Sequence, residues 1–153
     1  MEHIYNSPIG DLRIVYNNEY IVGLYFNVTT PLSENNTEND VLKACISQLD
    51  EYFEGKRKTF DLPLHFERGT DFQKTVWQAL TNIPYGKTIS YGELAKNIGN
   101  DKASRAVGGA NNKNPISIIV PCHRVIGASG KMVGYGGELW RKEWLLRHEG
   151  SFP

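Results

Sequence analysis

The stretch Ser117-Ile118-Ile119-Val120-Pro121-Cys122-His123-Arg124-Val125 carries an apolar run straight into a thiol, an imidazole and a guanidinium. Pro121 has no N–H to give to a strand ladder, so a strand over residues 116–120 should end there and leave Cys122 in a turn. His123 and Arg124 are not residues expected in a core. Three chemistries fit such a cysteine. It could be a small buried hydrophobe, as cysteines often are. It could ligate a metal, but two adjacent ligands without a CxxC or HxxxH elsewhere fall short of a site. It could be a nucleophile. A free thiol with a pKa near 8.5 is only about 3% thiolate at pH 7, so it needs a base. An imidazole can take the proton directly or through a water, and a carboxylate on the other ring nitrogen would fix the tautomer. Glu143 and Glu149, in "KEWLLRHEG", are both candidates for that carboxylate, and spacing does not choose between them.

The elements that must hold these groups follow from patterning. The chain has 153 residues, 40% hydrophobic and 22% charged, which suits one sizeable core or two small subdomains. "HIYNSP", "GDLRIVYNN" and "YIVGLYFNV" are β-branched and aromatic runs broken by turn chemistry. "DVLKACISQLDEYFEG" has apolar residues at 42, 45, 46, 49, 52 and 53, with Asp40 as N-cap and Gly55 as stop, and predicts an amphipathic helix with Cys45 on its core face. "KRKTFDLPLHFERGT" reads as a further strand and a connector. From about residue 70 the pattern turns helical. "TDFQKTVWQALTNI" opens on a Thr/Asp cap, and "TISYGELAKNIG" has Ser90 as cap, Glu93 three residues on and Gly99 as C′ glycine. "DKASRAVGGANN" opens on Asp101 and makes a second short helix, so that the pair has the dimensions of a helix-turn-helix. The fold class is therefore α+β: an N-terminal subdomain over residues 1–68, an antiparallel sheet with a packed helix, and a mainly helical subdomain over residues 69–153.

Charge is unevenly placed. The net charge is zero, yet residues 1–69 carry 6 Lys/Arg against 11 Asp/Glu, and residues 70–131 carry 8 against 3. A basic module in a neutral protein suits local contact with phosphates, and equally a solvated helical surface. Gly108 and Gly109 sit inside a helix at a cost of about 1 kcal/mol each in propensity. With Ala106 and Ala110 they leave one face nearly bare, able to meet another helix or a nucleic-acid groove, with Arg105 beside it. No run approaches the roughly 20 apolar residues that span a bilayer. The start has no basic and apolar leader, so a cytoplasmic protein is expected, with no membrane partner. Two cysteines are too few for a disulfide framework or a structural zinc site.

Taken together, these residues resemble a known family. "IVPCHRVIG" is similar to the active-site signature of the O6-alkylguanine-DNA alkyltransferases, and "FQKTVWQALTNIPYGKTISYGELAKNIG", "ASRAVGGANNKNPISIIVPCHRVIG" and "GYGGELWRKEWLLRHEG" match in order and spacing across about residues 70–150. The resemblance implies a winged-helix-like C-terminal subdomain. It implies irreversible transfer of an alkyl group from O6-methylguanine, and from O4-methylthymine as a second substrate, to Cys122. His123, through a water, and Glu149 would activate that thiol, and Asn114 would tie the helix-turn-helix to the cysteine loop. Tyr91 would help rotate the nucleotide out and meet guanine N3, and Lys142 would assist the departing oxygen. Arg105 would fill the vacated stack. Ala106, Gly108, Gly109 and Ala110 would lie in the minor groove of double-stranded DNA, with Arg124 among the DNA contacts. The backbone around Val125, Tyr135 and Gly136 would line the base pocket. Family members often carry serine or alanine where Gly136 stands, which implies a looser pocket here. The resemblance implies a monomer with no cofactor and no metal. A thiol hydrolase and a lesion-binding module without catalysis are the alternatives.

Overall fold

The computed structural model describes residues 1–26, 38–127, 130 and 139–151, and the chain divides into two units, residues 1–67 and 68–153. In the first unit β1 (Glu2–Ser7), β2 (Gly10–Tyr16) and β3 (Ile21–Tyr25) form an antiparallel sheet in sequential order. The β1–β2 register pairs Glu2 with Val15 through to Ser7 with Gly10, and a bulge at Val15/Tyr16 shifts β2 against β3. Leu12, Ile14 and Tyr16 are buried while the residues between them are not, the period of two that a one-sided sheet demands.

Helix α1 (Asp40–Phe53) covers β2 and β3 and buries Leu42, Cys45, Leu49 and Tyr52. Its N-cap is Asn39 rather than Asp40: the Asn39 side chain accepts from Leu42 N at 2.9 Å, and Asp40 falls in the first turn, where its charge still opposes the helix dipole. Gly55, at φ +78°, closes the helix. Its N–H donates to Tyr52 O and that of Lys56 to Glu51 O, the paired bonds of a Schellman cap. The strand expected in residues 56–70 is reduced to a single parallel bridge, Ile21 to Leu64. Pro63 accepts from Ile21 N at 2.8 Å and His65 N donates to Ile21 O at 3.1 Å, but proline has no donor to continue the ladder.

In the second unit α2 (Asp71–Leu80) opens on a full capping box between Thr70 and Gln73. β4 (Ile89–Ser90) leads directly into α3 (Tyr91–Asn97), whose cap is Ser90, accepting from Glu93 N at 3.1 Å. Helix α4 (Ser104–Asn112) packs on α2 and α3, completing the helix-turn-helix. It begins at Ser104 with no side-chain cap, so Asp101 belongs to the turn before it. The strand expected over residues 116–120 is absent: the chain turns through 117–120 and enters a one-turn 3-10 helix at Cys122–Arg124. β5 (Val125–Ile126) follows and pairs in parallel with β4. Helix α5 (Leu139–His148) ends the described fold. Among the described residues no helix is long and apolar enough to cross a membrane.

Cys45 has no exposed surface, and burial pushes its thiol from 9.0 up to about 12. A raised folded pKa contributes stability that is full below the unfolded value and lost as pH rises towards the folded one. Unfolding free energy should therefore fall by about 2 kcal/mol from this group between about pH 8 and 10.5. Denaturant titrations at both pH values on wild type and Cys45→Ala check this: the variant should start lower but lose less.

Candidate active site

The loop that presents Cys122 is shaped by Asn114. Its amide Nδ2 donates to Val120 O at 2.7 Å and Ile116 O at 3.4 Å, and its Oδ1 accepts from Ile116 N at 3.0 Å. Backbone groups that a strand would have sent to a neighbour are thus satisfied within the loop, and this is why "ISIIV" does not form one. Val120 N to Ile116 O, Ile119 N to Ser117 O and Cys122 N to Val120 O tighten it further. Ile118 is held at φ +70°, a left-handed conformation rare for a β-branched side chain and costing on the order of 1–3 kcal/mol. Its burial at 1% exposure helps offset that cost.

His123 and Arg124, expected outside a core, are inside it. Both converge on Glu149. His123 Nε2 lies 2.7 Å from Glu149 Oε2. Arg124 donates from Nε to Oε1 at 2.8 Å and from Nη2 to Oε2 at 3.1 Å, and its Nη1 donates to Ile83 O at 2.7 Å. The Arg124 guanidinium also lies 5.7 Å from the centre of the Tyr85 ring. Arg124 was expected to contact DNA. Its guanidinium is instead committed inside the protein, because the Glu149 carboxylate and a backbone carbonyl occupy its fork. Glu149 itself caps α5: Gly150, at φ +78°, donates to Arg147 O and Ser151 N to Leu146 O. Glu143, the other candidate carboxylate, pairs with Arg147 on the surface at 2.7 Å.

The titration behaviour follows from this packing. Burial alone would raise the Glu149 carboxyl, but the His123 and Arg124 partners outweigh it and hold it well below the usual carboxylate range. Burial lowers His123 against the pull of Glu149, so the ring is neutral under ordinary conditions. With Nε2–H given to the carboxylate, the lone pair sits on Nδ1, which is buried and has no hydrogen-bond partner among the described residues. Burial raises the Cys122 thiol, partly opposed by the Asn114 side chain and the Lys142 charge. Lys142 is fully buried, donates to Val125 O at 2.6 Å and is brought down to about 8 by desolvation, against the pull of Cys122.

Tyr91, the first residue of α3, lies across α4: a Cβ built on Gly108 would meet its ring at 3.7 Å. Its centre is 6.0 Å from Lys142 Nζ. Burial raises its hydroxyl, as does the Cys122 charge, while a hydrogen bond from the Asn111 side chain opposes them. That is an ordinary van der Waals distance, so the ring packs on α4 at Gly108 without requiring a glycine there. Ala110 points inward at 3% exposure, with its carbonyl accepting from Trp77 Nε1 at 2.8 Å, so it leaves the bare face predicted for it. Arg105, Ala106, Gly109, Asn112 and Lys113 are the exposed residues of that helix and its end, and nothing lies within 4 Å of a Cβ on Gly109. Val125 is buried, while Tyr135 and Gly136 lie outside the described residues. The residue that the sequence reading missed is Asn111, 1% exposed, with Nδ2 donating to Cys122 O at 3.3 Å. The paired asparagines of "GGANN", one of them on the buried stripe of the helix, were its signal. Among the described residues no three His, Cys, Asp or Glu side chains converge as a metal site would need.

Glu149→Gln should cost about 3 kcal/mol or more at neutral pH, because it leaves a buried guanidinium without its countercharge. The depressed carboxyl gives stability that is full above its ordinary 4.5 and is lost as pH falls below it. Denaturation from pH 7 into acid should show that loss in wild type and a flatter curve in the variant.

Comparison with known proteins places the chain. A family model described as the DNA binding domain of 6-O-methylguanine DNA methyltransferase matches residues 71–151, and the ribonuclease-like domain of the same family matches residues 1–66. The methylated-DNA–protein-cysteine methyltransferase of Methanosarcina acetivorans is 51% identical over 152 residues, covering 97% of both chains. That of Mycobacterium tuberculosis is 49% identical over 149 residues, covering 95% of this chain and 90% of its own. The crystal structure of the M. tuberculosis O6-methylguanine methyltransferase superposes with a TM-score of 0.85 at 46% identity, covering 100% of this chain and 95% of that one. The structure of the M. tuberculosis protein in complex with DNA gives 0.89, covering 98% and 92%. With both halves matched by the two domains of one family and near-full-length relatives at about half identity, the chain belongs to the 6-O-methylguanine DNA methyltransferases.

Proposed function

We propose that this protein repairs DNA by moving the alkyl group of O6-methylguanine to Sγ of Cys122. The observation that carries the reading is the buried row of Cys122, a His123 whose Nε2 is taken by Glu149, and an Nδ1 left open. A water on Nδ1 can relay the thiol proton to the imidazole. The Sγ–C bond forms as the C–O6 bond breaks, and the guanine oxygen leaves with its charge met by the buried Lys142 ammonium, with Tyr91 beside it. His123 then returns its proton to the departing base. O4-methylthymine offers the same kind of O-alkyl carbon to the thiol.

The target carbon cannot be reached inside a duplex, so the nucleotide must be turned out, at a cost of a few kcal/mol. The exposed face of α4 suits the narrow minor groove: Gly109 and Ala106 let the backbone come close, and Arg105 stands beside them to stack where the base has left. Lysines around the helix-turn-helix meet phosphates without reading sequence. A thioether is a stable bond, and among the described residues no group beside Cys122 is placed to hydrolyse it, so each molecule acts once. The reading also takes the protein to act as a monomer and without a cofactor. Asn114 shapes the loop and acts through it.

Intact-mass measurement after incubation with a duplex holding one O6-methylguanine tests this. One methylene equivalent should be gained, mapped to Cys122, absent in Cys122→Ser, and never exceeding one per molecule. Repaired DNA with unmodified protein would point to hydrolysis, and bound DNA with unchanged mass to a lesion binder. Gly109→Leu should keep or raise stability by up to about 1 kcal/mol through helix propensity. It should nevertheless weaken DNA binding, as read by titration at two salt concentrations, with the salt slope retained because the lysines remain.

A further inference from the structure

Among the described residues two buried acceptors in the second unit have no hydrogen-bond partner, His123 Nδ1 and Asn111 Oδ1. The first belongs to the proton relay. The second has no part in it. Asn111 is 1% exposed, and its Nδ2 donates to the Cys122 carbonyl at 3.3 Å. Leaving such an oxygen unpaired costs roughly 1–3 kcal/mol, a cost usually met by a water or a ligand. Any group that completes it must be a hydrogen-bond donor within reach of Cys122.

Alkylation at O6 fixes guanine in the form without a proton on N1. N3 and N7 are acceptors, and N9 carries the sugar. The exocyclic 2-amino group is then the one N–H donor left on the base. We infer that Asn111 is a specificity-determining residue, whose Oδ1 accepts a hydrogen bond from the 2-amino group of the flipped O6-alkylguanine. The inference rests on the alkyl-transfer reading above. It gives a role to the one polar side chain among the residues this helix buries, Val107, Ala110 and Asn111. It also gives the pocket a way to tell an alkylated guanine from an alkylated purine without the amine.

The test compares transfer from O6-methylguanine with transfer from O6-methylhypoxanthine, which has the same methyl group and lacks only the 2-amino group. Both are placed in the same duplex context. Rates are measured for wild type, Asn111→Leu and Asn111→Ser, the serine being too short to reach the base. The cost of opening each base pair is shared by all three proteins, so the change in the ratio of the two rates isolates the side chain. The ratio should fall about tenfold in either variant, chiefly through a slower reaction with methylguanine, as loss of one buried hydrogen bond gives. A side chain that merely pinned the Cys122 loop would slow both substrates equally; an unchanged ratio would overturn the proposal. Wild type on single-stranded oligonucleotides, where no pair must open, provides a second reading that needs no variant, and equal rates there would overturn it too. Transfer from neither base by wild type would instead remove the alkyl-transfer reading itself.

Discussion

A single buried carboxylate organises the second unit. Glu149 has no side-chain exposure, and its two oxygens receive His123 and two of the three guanidinium nitrogens of Arg124. Taking a carboxylate and a guanidinium out of water costs several kcal/mol each, and only close, fully used geometry returns that energy. Here it is fully used, since the remaining arm of Arg124 reaches the Ile83 carbonyl beyond α2. Three segments distant in sequence, the end of α2, the cysteine turn and the cap of α5, therefore meet at one point. Such a clasp is better understood as fixing a conformation than as adding stability: it sets the tautomer of His123, and so which ring nitrogen faces away from the carboxylate.

A second constraint works on the other side of Cys122. Asn114 closes the loop upon itself, and β5 leaves it to pair with β4, which runs straight into Tyr91. Helix α4 meets both, through Gly108 under the Tyr91 ring and through Asn111 on the Cys122 carbonyl. The helix with the exposed face and the thiol are thus joined by ring packing and by one buried hydrogen bond of 3.3 Å. A left-handed Ile118 is tolerated in the middle of this loop because the bonds around it leave no other path.

Much of this was legible in the sequence, for reasons that differ by residue. Period-two alternation in "DLRIVY" and the Ser90 and Gly99 signals of α3 are local, and local rules read them correctly. Cys122, His123 and Glu149 came from chemistry and from a resemblance carried by long, ordered motifs. Three of the errors share one cause. An apolar run before a proline predicts a strand, unless a side chain elsewhere satisfies its backbone, as Asn114 does. The resemblance puts Arg124 among the DNA contacts, but a buried carboxylate from 25 residues on, Glu149, claims it. Ala110 reads as part of a bare face until Trp77, 33 residues away, donates to its carbonyl. Each miss is a tertiary partner that periodicity cannot supply.

The same burial explains how the thiol can be both protected and reactive. A cysteine with a depressed pKa is a standing thiolate, open to any soluble electrophile or oxidant. If each molecule acts once, as proposed, such encounters would waste it. Cys122 is instead 4% exposed, with its thiol pushed up by desolvation, so it stays protonated and largely shielded at rest. The base proposed for it is matched to that state, because burial lowers His123 while Glu149 lies where it would stabilise an imidazolium. Proton removal and alkyl transfer can then occur together, with the base seated against the loop. In the proposed reaction, reactivity lies in the alignment of fixed groups, which a flipped nucleotide would complete, and not in a pre-ionised sulfur.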